Sequence, residues 1–481
     1  LQQLALNKRF GKVGNKSPFG VFMNFTAETK EKIIDDMCKM IQCATVSYQD
    51  DELVDWSQYE KFQNLLCQKF PMIYQKCDFF KVGKTGLVHK ISGKNAETQN
   101  KCANVLMAHY DVVPAVQEEW DFPAFCGDVV QTSQGEFIRG RGTLDTKGTL
   151  CAIMEAVEVK LKEGWLPKTD LYLCFSGEEE ISGDTTREIV HWFKEKNIDV
   201  EFVLDEGGAI VENAFPGVSK RCAMVGTAEK GFINMDVIIE GKAGHASAPP
   251  KHSAVGLAST VVTEIEKHTC KTEFTKPVKE LFNVMGPNNK NPALRFLFSN
   301  LAITKPLVSL ASKIIGGELF ALLHTTCAVT MMEGSKAYNV LPSQAKIGLN
   351  LRLLGKDTIQ SAEKRILKYA KKVLGKNAKI STKILQGNNP SLVSDTNCEQ
   401  WKTLCNVINK TWPEILVSPY LMMACSDSRH YCAISDKVYR FSGMFLSKEE
   451  RAMIHGKNER ISTETLIKTV EFYANLLEAL A

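Results

Sequence analysis

Apolar residues along the chain recur with two periods. In residues 27–43 (AETKEKIIDDMCKMIQC), Ile33, Ile34, Met37, Met40 and Ile41 fall at helical spacing and predict a helix that covers a sheet. A second helix is expected from Trp56 to Phe70. Residues 77–92 and 104–108 read as strands, the latter almost continuously apolar, as a central strand covered on both faces must be. The stretch from Val113 to Arg141 is broken by Pro and Gly and carries Trp120, Phe122 and Phe125, which predicts an ordered loop or hairpin. From Lys147 the positions Leu150, Ile153, Met154, Val157 and Leu161 return to helical spacing, and Gly164 with Pro167 closes that helix. A strand at 171–175, a helix near 184–196 and a strand at 201–204 continue the alternation. The pattern predicts an α/β domain with a mostly parallel central sheet covered by helices.

After about Val225 the texture changes. FINMDVIIEG alternates as a half-exposed strand, GKAGHASAPP is a Gly-rich loop, and Ser253–His268 reads as a helix. Strands at 327–333, 344–353 and 377–385, with a helix at 357–374, complete a small α+β domain. The apolar runs at 415–424 and 438–441 and a C-terminal amphipathic helix return to the first domain. The expected division is 1–224 and 389–481 for the catalytic domain, with 225–388 inserted as a lid. Within the lid lies a long apolar insertion at about 271–323. It has three readings: helices that enlarge the lid core, a surface for another subunit, or a groove for a fatty acyl chain.

The composition, 44% hydrophobic and 24% charged over 481 residues, is that of an ordinary globular protein of more than one domain. The net charge of +4 is spread along the chain, with no basic stripe of the kind nucleic-acid binding needs. The fifteen cysteines are scattered, odd in number and without a C-x-x-C pair, a pattern of reduced thiols that favours the cytoplasm. No apolar run has the length of a membrane span, and the N-terminus lacks a charged-then-apolar leader. The chain begins at Leu1, so a segment upstream of it stays open.

The chemistry gathers where strands end. His109 and Asp111 follow the run NVLMA, Glu178, Glu179 and Glu180 follow LYLCFSG, Asp205 ends EFVLD, and Asp145 opens the helix at Lys147. In open α/β sheets ligands collect outside the carboxyl ends of strands. Carboxylates joined by imidazole there suggest a metal site. His455, in MIHGKNERIS just ahead of the terminal helix, is available as a last ligand.

The set resembles the M20 family of co-catalytic metallopeptidases. The matching motifs are His109-x-Asp111, Asp145 within GRGTLDTKG, the Glu179–Glu180 pair, Asp205 in LDEGG, GHASAPP, NVLP at 339–342 and IHGKNER. The insertion, EGSKAYNVLP and SDSRHY are similar to the branch of Gly-X carboxypeptidases and N-acyl amino acid hydrolases. The resemblance implies two zinc ions, with cobalt or manganese as substitutes, held by His109, Asp145, Glu180, Asp205 and His455. Asp145 would bridge them, and its peptide bond to Thr146 would be cis. Asp111 would fix the His109 imidazole. Glu179 cannot share the direction of Glu180 on an extended backbone. It is instead the expected general base and then proton donor to the leaving amine. From the lid, His245 would polarise the substrate carbonyl, and Arg352 and Asn339 would recognise the substrate, with Arg352 suited to a free carboxylate.

Plainer roles compete with some of these. His245 could cap its loop, Arg352 could form a surface ion pair, and Glu178 could be merely solvated. Arg429 and His430 in SDSRHY stand open, Asp427 could cap a helix, and His191, His252, His268 and His324 read as structural or solvent-facing.

The expected function is a di-zinc metallopeptidase of carboxypeptidase or dipeptidase type. It would cleave the amide bond next to a C-terminal amino acid with a free carboxylate, using metal-bound hydroxide and Glu179. An N-acyl amino acid amidohydrolase is the alternative with the same chemistry, and an inactive peptide-binding homologue the alternative of another class. Expected partners are a small peptide or N-acyl amino acid substrate, with no nucleic acid and no membrane span; the lid is a candidate homodimer surface. A nucleotide-binding oxidoreductase is excluded, because GRGTLD lacks the G-x-G-x-x-G spacing.

Overall fold

The computed structural model describes residues 25–481 other than 96, 98–100, 269, 376 and 377. The first expected helix is α1 (Ala27–Ile41), capped by Thr26, whose hydroxyl accepts the Thr29 N–H. Helices α2 (Trp56–Lys69) and α3 (Pro71–Lys76) follow. The stretch 77–92 is a hairpin rather than one strand. β1 (Asp78–Val82) and β2 (Gly86–Ile91) pair antiparallel, and Gly83 turns the chain at φ 64°, a conformation that favours glycine.

β3 (Ala103–His109) is buried at every position. The aromatic loop holds a second hairpin, β4 (Asp128–Thr132) and β5 (Gly135–Arg139). Next come α4 (Lys147–Lys162), β6 (Leu171–Ser176), α5 (Thr185–Glu195), β7 (Val200–Asp205), β8 (Ile210–Val211) and β9 (Cys222–Glu229). The chain then builds β10 (Gly231–Glu240), β11 (Gly244–His245) and α6 (Ala254–Lys267). The insertion forms α7 (Lys276–Met285), α8 (Pro292–Ser299), α9 (Leu301–Ile315) and α10 (Gly317–Leu323). β12 (Thr326–Glu333), β13 (Val340–Leu341), β14 (Gln344–Leu353), α11 (Ile359–Leu374) and β15 (Ile380–Asn388) complete the lid. The return segment is α12 (Glu399–Thr411), β16 (Leu416–Met422), β17 (Val438–Arg440), β18 (Phe445–Leu446), α13 (Lys448–Met453), β19 (Arg460–Ser462) and α14 (Thr463–Ala479).

The large sheet runs β1-β2-β6-β3-β7-β17-β9-β8-β18, with β16 also on β9. Its centre, β6, β3, β7 and β17, is parallel. The continuous apolar runs have a direct cause. Leu106, Ala108, Leu173, Phe175 and Leu204 face α1, α4 and α14, while Val105, Met107, Tyr172, Cys174 and Val203 face α5. Each strand therefore buries both of its faces.

The chain leaves this sheet after Glu229 and enters the lid sheet at Gly231, so the passage falls at Lys230 rather than at 224. The lid sheet, β12-β14-β10-β15, is antiparallel, and its inner face packs on α6 and α11. The insertion does not enlarge this core. Val278, Leu281, Phe282, Met285, Phe298, Leu301 and Val308 pack instead with Phe215, Cys222 and Leu421 of the catalytic part. Among the described residues no helix is long and apolar enough to cross a membrane.

Candidate metal centre

The centre forms where β3, β6 and β7 end and where the chain returns after α13. β3 and β6 run in register so that His109 lies beside Ser176. The chain beyond Ser176 then passes Gly177, where an added Cβ would meet the Tyr110 ring at 2.7 Å. That close approach lets the Glu178–Glu180 turn fold back over the strand ends.

Asp145 stands between the two histidines. Its Oδ1 lies 2.9 Å from His109 Nε2 and its Oδ2 3.0 Å from His455 Nε2, and its peptide bond to Thr146 is cis. His455 Nε2 is also 3.1 Å from Glu180 Oε2. Two groups of ligand atoms result, one of His109, Asp145 and Glu206 and the other of Asp145, Glu180 and His455, with the atoms of each within 4.8 Å of one another.

Asp205 is not in either group. It closes β7 with its side chain turned inward, and its Oδ2 accepts the Ser428 N–H at 3.1 Å. Glu206, one residue past the strand and one methylene longer, reaches to 3.7 Å from His109 Nε2. The candidate ligand group at this position thus holds Glu206 and not Asp205. The signal was present in LDEGG: the alternation argument that separates Glu179 from Glu180 applies equally to two acids at the end of β7.

These residues fit divalent cations. Three side chains face each position, imidazole and carboxylate are zinc-type donors, and Asp145 offers one oxygen to each side. Glu180 Oε1 is buried without a hydrogen-bond partner. In the bare side chains, hydrogen bonds to Asp145 and Glu180 raise His455 to about 10. Burial opposes protonation of His109, but Asp111 and Asp145 outweigh it and raise this imidazole too. Burial would raise Asp145, yet the two imidazoles hold it well below the carboxylate range. The carboxylates that favour protons on both rings would favour cations in the same places.

Asp111 acts through its neighbours. Its carboxylate accepts the backbone N–H groups of Glu179 and Glu180, each at 3.1 Å, and the Ser47 hydroxyl at 2.8 Å. His109 Nδ1 lies 3.0 Å from the Asp111 carbonyl oxygen and 3.4 Å from its carboxylate, so the backbone is the nearer partner. Glu179 is half-buried, and burial pushes its carboxyl well above the ordinary value. His109 opposes this, while the charges of Asp427, Glu206 and Glu180 reinforce it.

Glu459 was not singled out from the sequence. It is fully buried, and its carboxylate accepts Leu144 N–H at 2.7 Å, Gly142 N–H at 3.1 Å and the Arg141 guanidinium at 2.8 Å. It fixes the loop that presents Asp145. SDSRHY supplies supports of a similar kind. Ser428 holds Asp205, and Ser426 rather than Asp427 occupies the N-cap position of a short 3₁₀ helix (Asp427–Ala433), without a side-chain capping bond. Asp427 itself accepts the Thr186 hydroxyl. His430 is half-buried, and burial lowers it to about 3.

The lid residues lie apart from the ligand groups, with no hydrogen bond or ion pair to them among the described residues. His245 is exposed on β11, which pairs with β13, and its Nδ1 accepts the Ser247 N–H at 3.1 Å. That leaves the proton of the neutral ring on Nε2. The Asn339 carbonyl accepts the Ala246 N–H at 3.0 Å, which keeps both residues on one small ribbon. Arg352 on β14 is half-buried, 3.9 Å from Cys425 Sγ and 5.8 Å from the Phe232 ring centre. It makes no ion pair among the described residues.

A parallel sheet with acids and histidines converging at its carboxyl ends, under a separate α+β lid, defines a metal-dependent amide hydrolase. The chain belongs to peptidase family M20/M25/M40, which matches residues 105–479. It is 30% identical over 465 residues to a probable carboxypeptidase S-like 2 of Dictyostelium discoideum, covering 95% of this chain and 86% of that protein. It is 29% identical over 454 residues to the N-fatty-acyl-amino acid synthase/hydrolase PM20D1 of Xenopus tropicalis, covering 93% and 86%. Among solved structures, an M20 family metallo-carboxypeptidase of Sulfolobus solfataricus shares the fold, with a TM-score of 0.65 at 16% identity over 95% of this chain and 99% of that one.

Proposed function

We propose that this protein hydrolyses the amide bond beside a C-terminal amino acid that keeps a free carboxylate, as a carboxypeptidase or dipeptidase with two zinc ions. The observation that carries this reading is the pair of three-residue groups sharing Asp145, with Glu179 beside them. His109, Asp145 and Glu206 would hold one cation, and Asp145, Glu180 and His455 the other. Two divalent cations supply acidification of water to near-neutral pKa and polarisation of the scissile carbonyl.

The chain's own residues do the rest. Glu179, whose proton affinity is raised by burial and neighbouring acids, takes a proton from water and returns it to the leaving nitrogen. Asp111 holds the Glu179 and Glu180 backbone at a fixed distance from His109. His245 would donate from Nε2 to the developing oxyanion, and Arg352, without an acidic partner, would pair with the substrate carboxylate. Asn339, beside His245, would contact the substrate amide. In this reading the inserted segment 231–388 closes as a lid on the catalytic part, a homodimer forms through it, and the scattered, odd-numbered cysteines favour a cytoplasmic location.

A second reading, an N-acyl amino acid amidohydrolase, is favoured by the relative named as an N-fatty-acyl-amino acid synthase/hydrolase. The two share every step and differ in what occupies the acyl side. The test is metal content together with hydrolysis of dipeptides and N-acyl amino acids before and after chelation. About two zinc ions per chain and chelator-sensitive release of a free amino acid are expected, and the panel chooses between peptide and acyl substrates. Glu179→Ala should keep both metals and lose turnover by about 10²–10⁴-fold. A wild-type rate in that variant, or no metal and no turnover after metal is added back, overturns the reading.

A further inference from the structure

The helix α9 has an apolar face that nothing among the described residues covers. Its inner side packs through Leu301 and Val308 against the insertion's core. On the other side Ile303, Leu307, Leu310 and Ile314, spaced by four, three and four, form one stripe, exposed by 70, 59, 56 and 76%. Ile315 and, on α8, Phe296 extend it, also exposed. Water tolerates scattered apolar side chains, but a contiguous patch of this kind marks an interaction surface.

The segment that carries the stripe is cationic. Between Glu280 and Glu318 the sequence holds no acid, and its four cations, Lys290, Arg295, Lys305 and Lys313, are all exposed. A cationic segment that carries an exposed apolar stripe is the pattern of a helix that lies in the interface of an anionic lipid surface. At 15 residues α9 falls short of the roughly 20 needed to span a bilayer, so it would lie on the surface rather than cross it. A convex helix face offers no walls to enclose a single acyl chain, which needs a concave site. A second copy docked on the same face by two-fold symmetry would bring the two cationic segments together, and their charges would repel.

We propose that α9, with the neighbouring end of α8, docks the protein on an anionic phospholipid surface. Ile303, Leu307, Leu310 and Ile314 enter the acyl boundary, and the Lys and Arg side chains meet the headgroups. This docking is independent of the hydrolytic reading.

The test is flotation of the full chain with vesicles of phosphatidylcholine alone or mixed with phosphatidylserine. The wild type should float with the mixed vesicles, more weakly with neutral ones and more weakly at high salt. Leu307→Ser/Leu310→Ser/Ile314→Ser should lower the partition by more than about tenfold, since three apolar side chains are lost from the acyl boundary. Because the stripe is exposed, the variant's unfolding temperature should be unchanged. Lys290→Glu/Lys313→Glu should lower partition on the mixed vesicles alone. A wild type that stays in solution, a triple variant that floats equally well, or equal flotation on neutral vesicles overturns the proposal. So does a lipid-free dimer that the triple variant dissociates, because a second copy would then be the occupant.

Discussion

At the scale of single residues, the sharpest contrast lies between two adjacent acids. Asp205 accepts a backbone N–H from Ser428, and Glu206 faces His109. Glu206→Ala should therefore lose metal and turnover. Asp205→Asn, which can still accept the Ser428 N–H, should keep its metal content. Metal analysis of the two variants decides the assignment, and the opposite pattern restores Asp205 as ligand. The difficulty in reading this pair from sequence is physical. Both residues are acids at the end of one strand, and only the direction of the last strand residue separates them. His109, Asp145, Glu180 and His455 drew notice in the sequence because each stands near the end of a strand or helix, where ligands collect in open α/β sheets.

His89 makes a different point at the same scale. It lies on β2, fully buried among the rings of Tyr74, Phe79 and Phe175, and neither ring nitrogen has a hydrogen-bond partner among the described residues. Burial lowers it to about 3. An unfolded histidine titrates near 6.5, so between these values the unfolded chain binds one proton more and stability falls as the pH falls. The slope for one group is about 1.4 kcal/mol per pH unit. His89→Leu should flatten the loss of stability between about pH 6 and pH 4 by up to that slope, read from denaturation midpoints. An unchanged pH dependence would mean that His89 is not held neutral in the folded chain.

At the scale of elements, Glu459 shows how one side chain shapes a loop far away in sequence. It accepts the Leu144 N–H across 315 positions and, with Arg141, holds the turn that carries Asp145 into α4. Glu459→Gln keeps the size but loses a charged acceptor of the N–H groups and half of the ion pair. Metal affinity should weaken by about 10–100-fold, as loss of a group that orients a ligand does. Competition with a chelator reads this directly, and unchanged affinity would mean that the loop holds itself. Nothing in the sequence could announce this role, since the groups that Glu459 serves are backbone N–H groups. The insertion shows the same limit. Helices were one reading of its apolar sequence, but Phe282 and Phe298 meet Phe215 of the catalytic part rather than the lid core, and apolar character does not choose a partner.

At the scale of the whole molecule, the candidate centre joins parts that no single element connects. Its ligands come from the end of β3, the start of α4, the turn after β6, the end of β7 and the turn after α13. The lid has a separate core of Ile233, Met235, Val237, Ile347, Leu349 and Ile366 that includes none of these residues. Cations bound only in the folded state stabilise whatever must be folded to hold them, by about 4 kcal/mol at a thousandfold excess over Kd. That stabilisation should therefore fall on the catalytic part and leave the lid sheet alone. Amide hydrogen exchange before and after chelation measures the division. Protection should drop in 104–111, 142–150, 176–182, 205–208 and 453–459, with 231–240 and 344–353 unchanged. A uniform loss across both sheets would show that the two cores unfold as one cooperative unit. No loss at any of these segments would mean that hydrogen bonds such as those of Glu459 and Asp111 hold the ligands in place without metal.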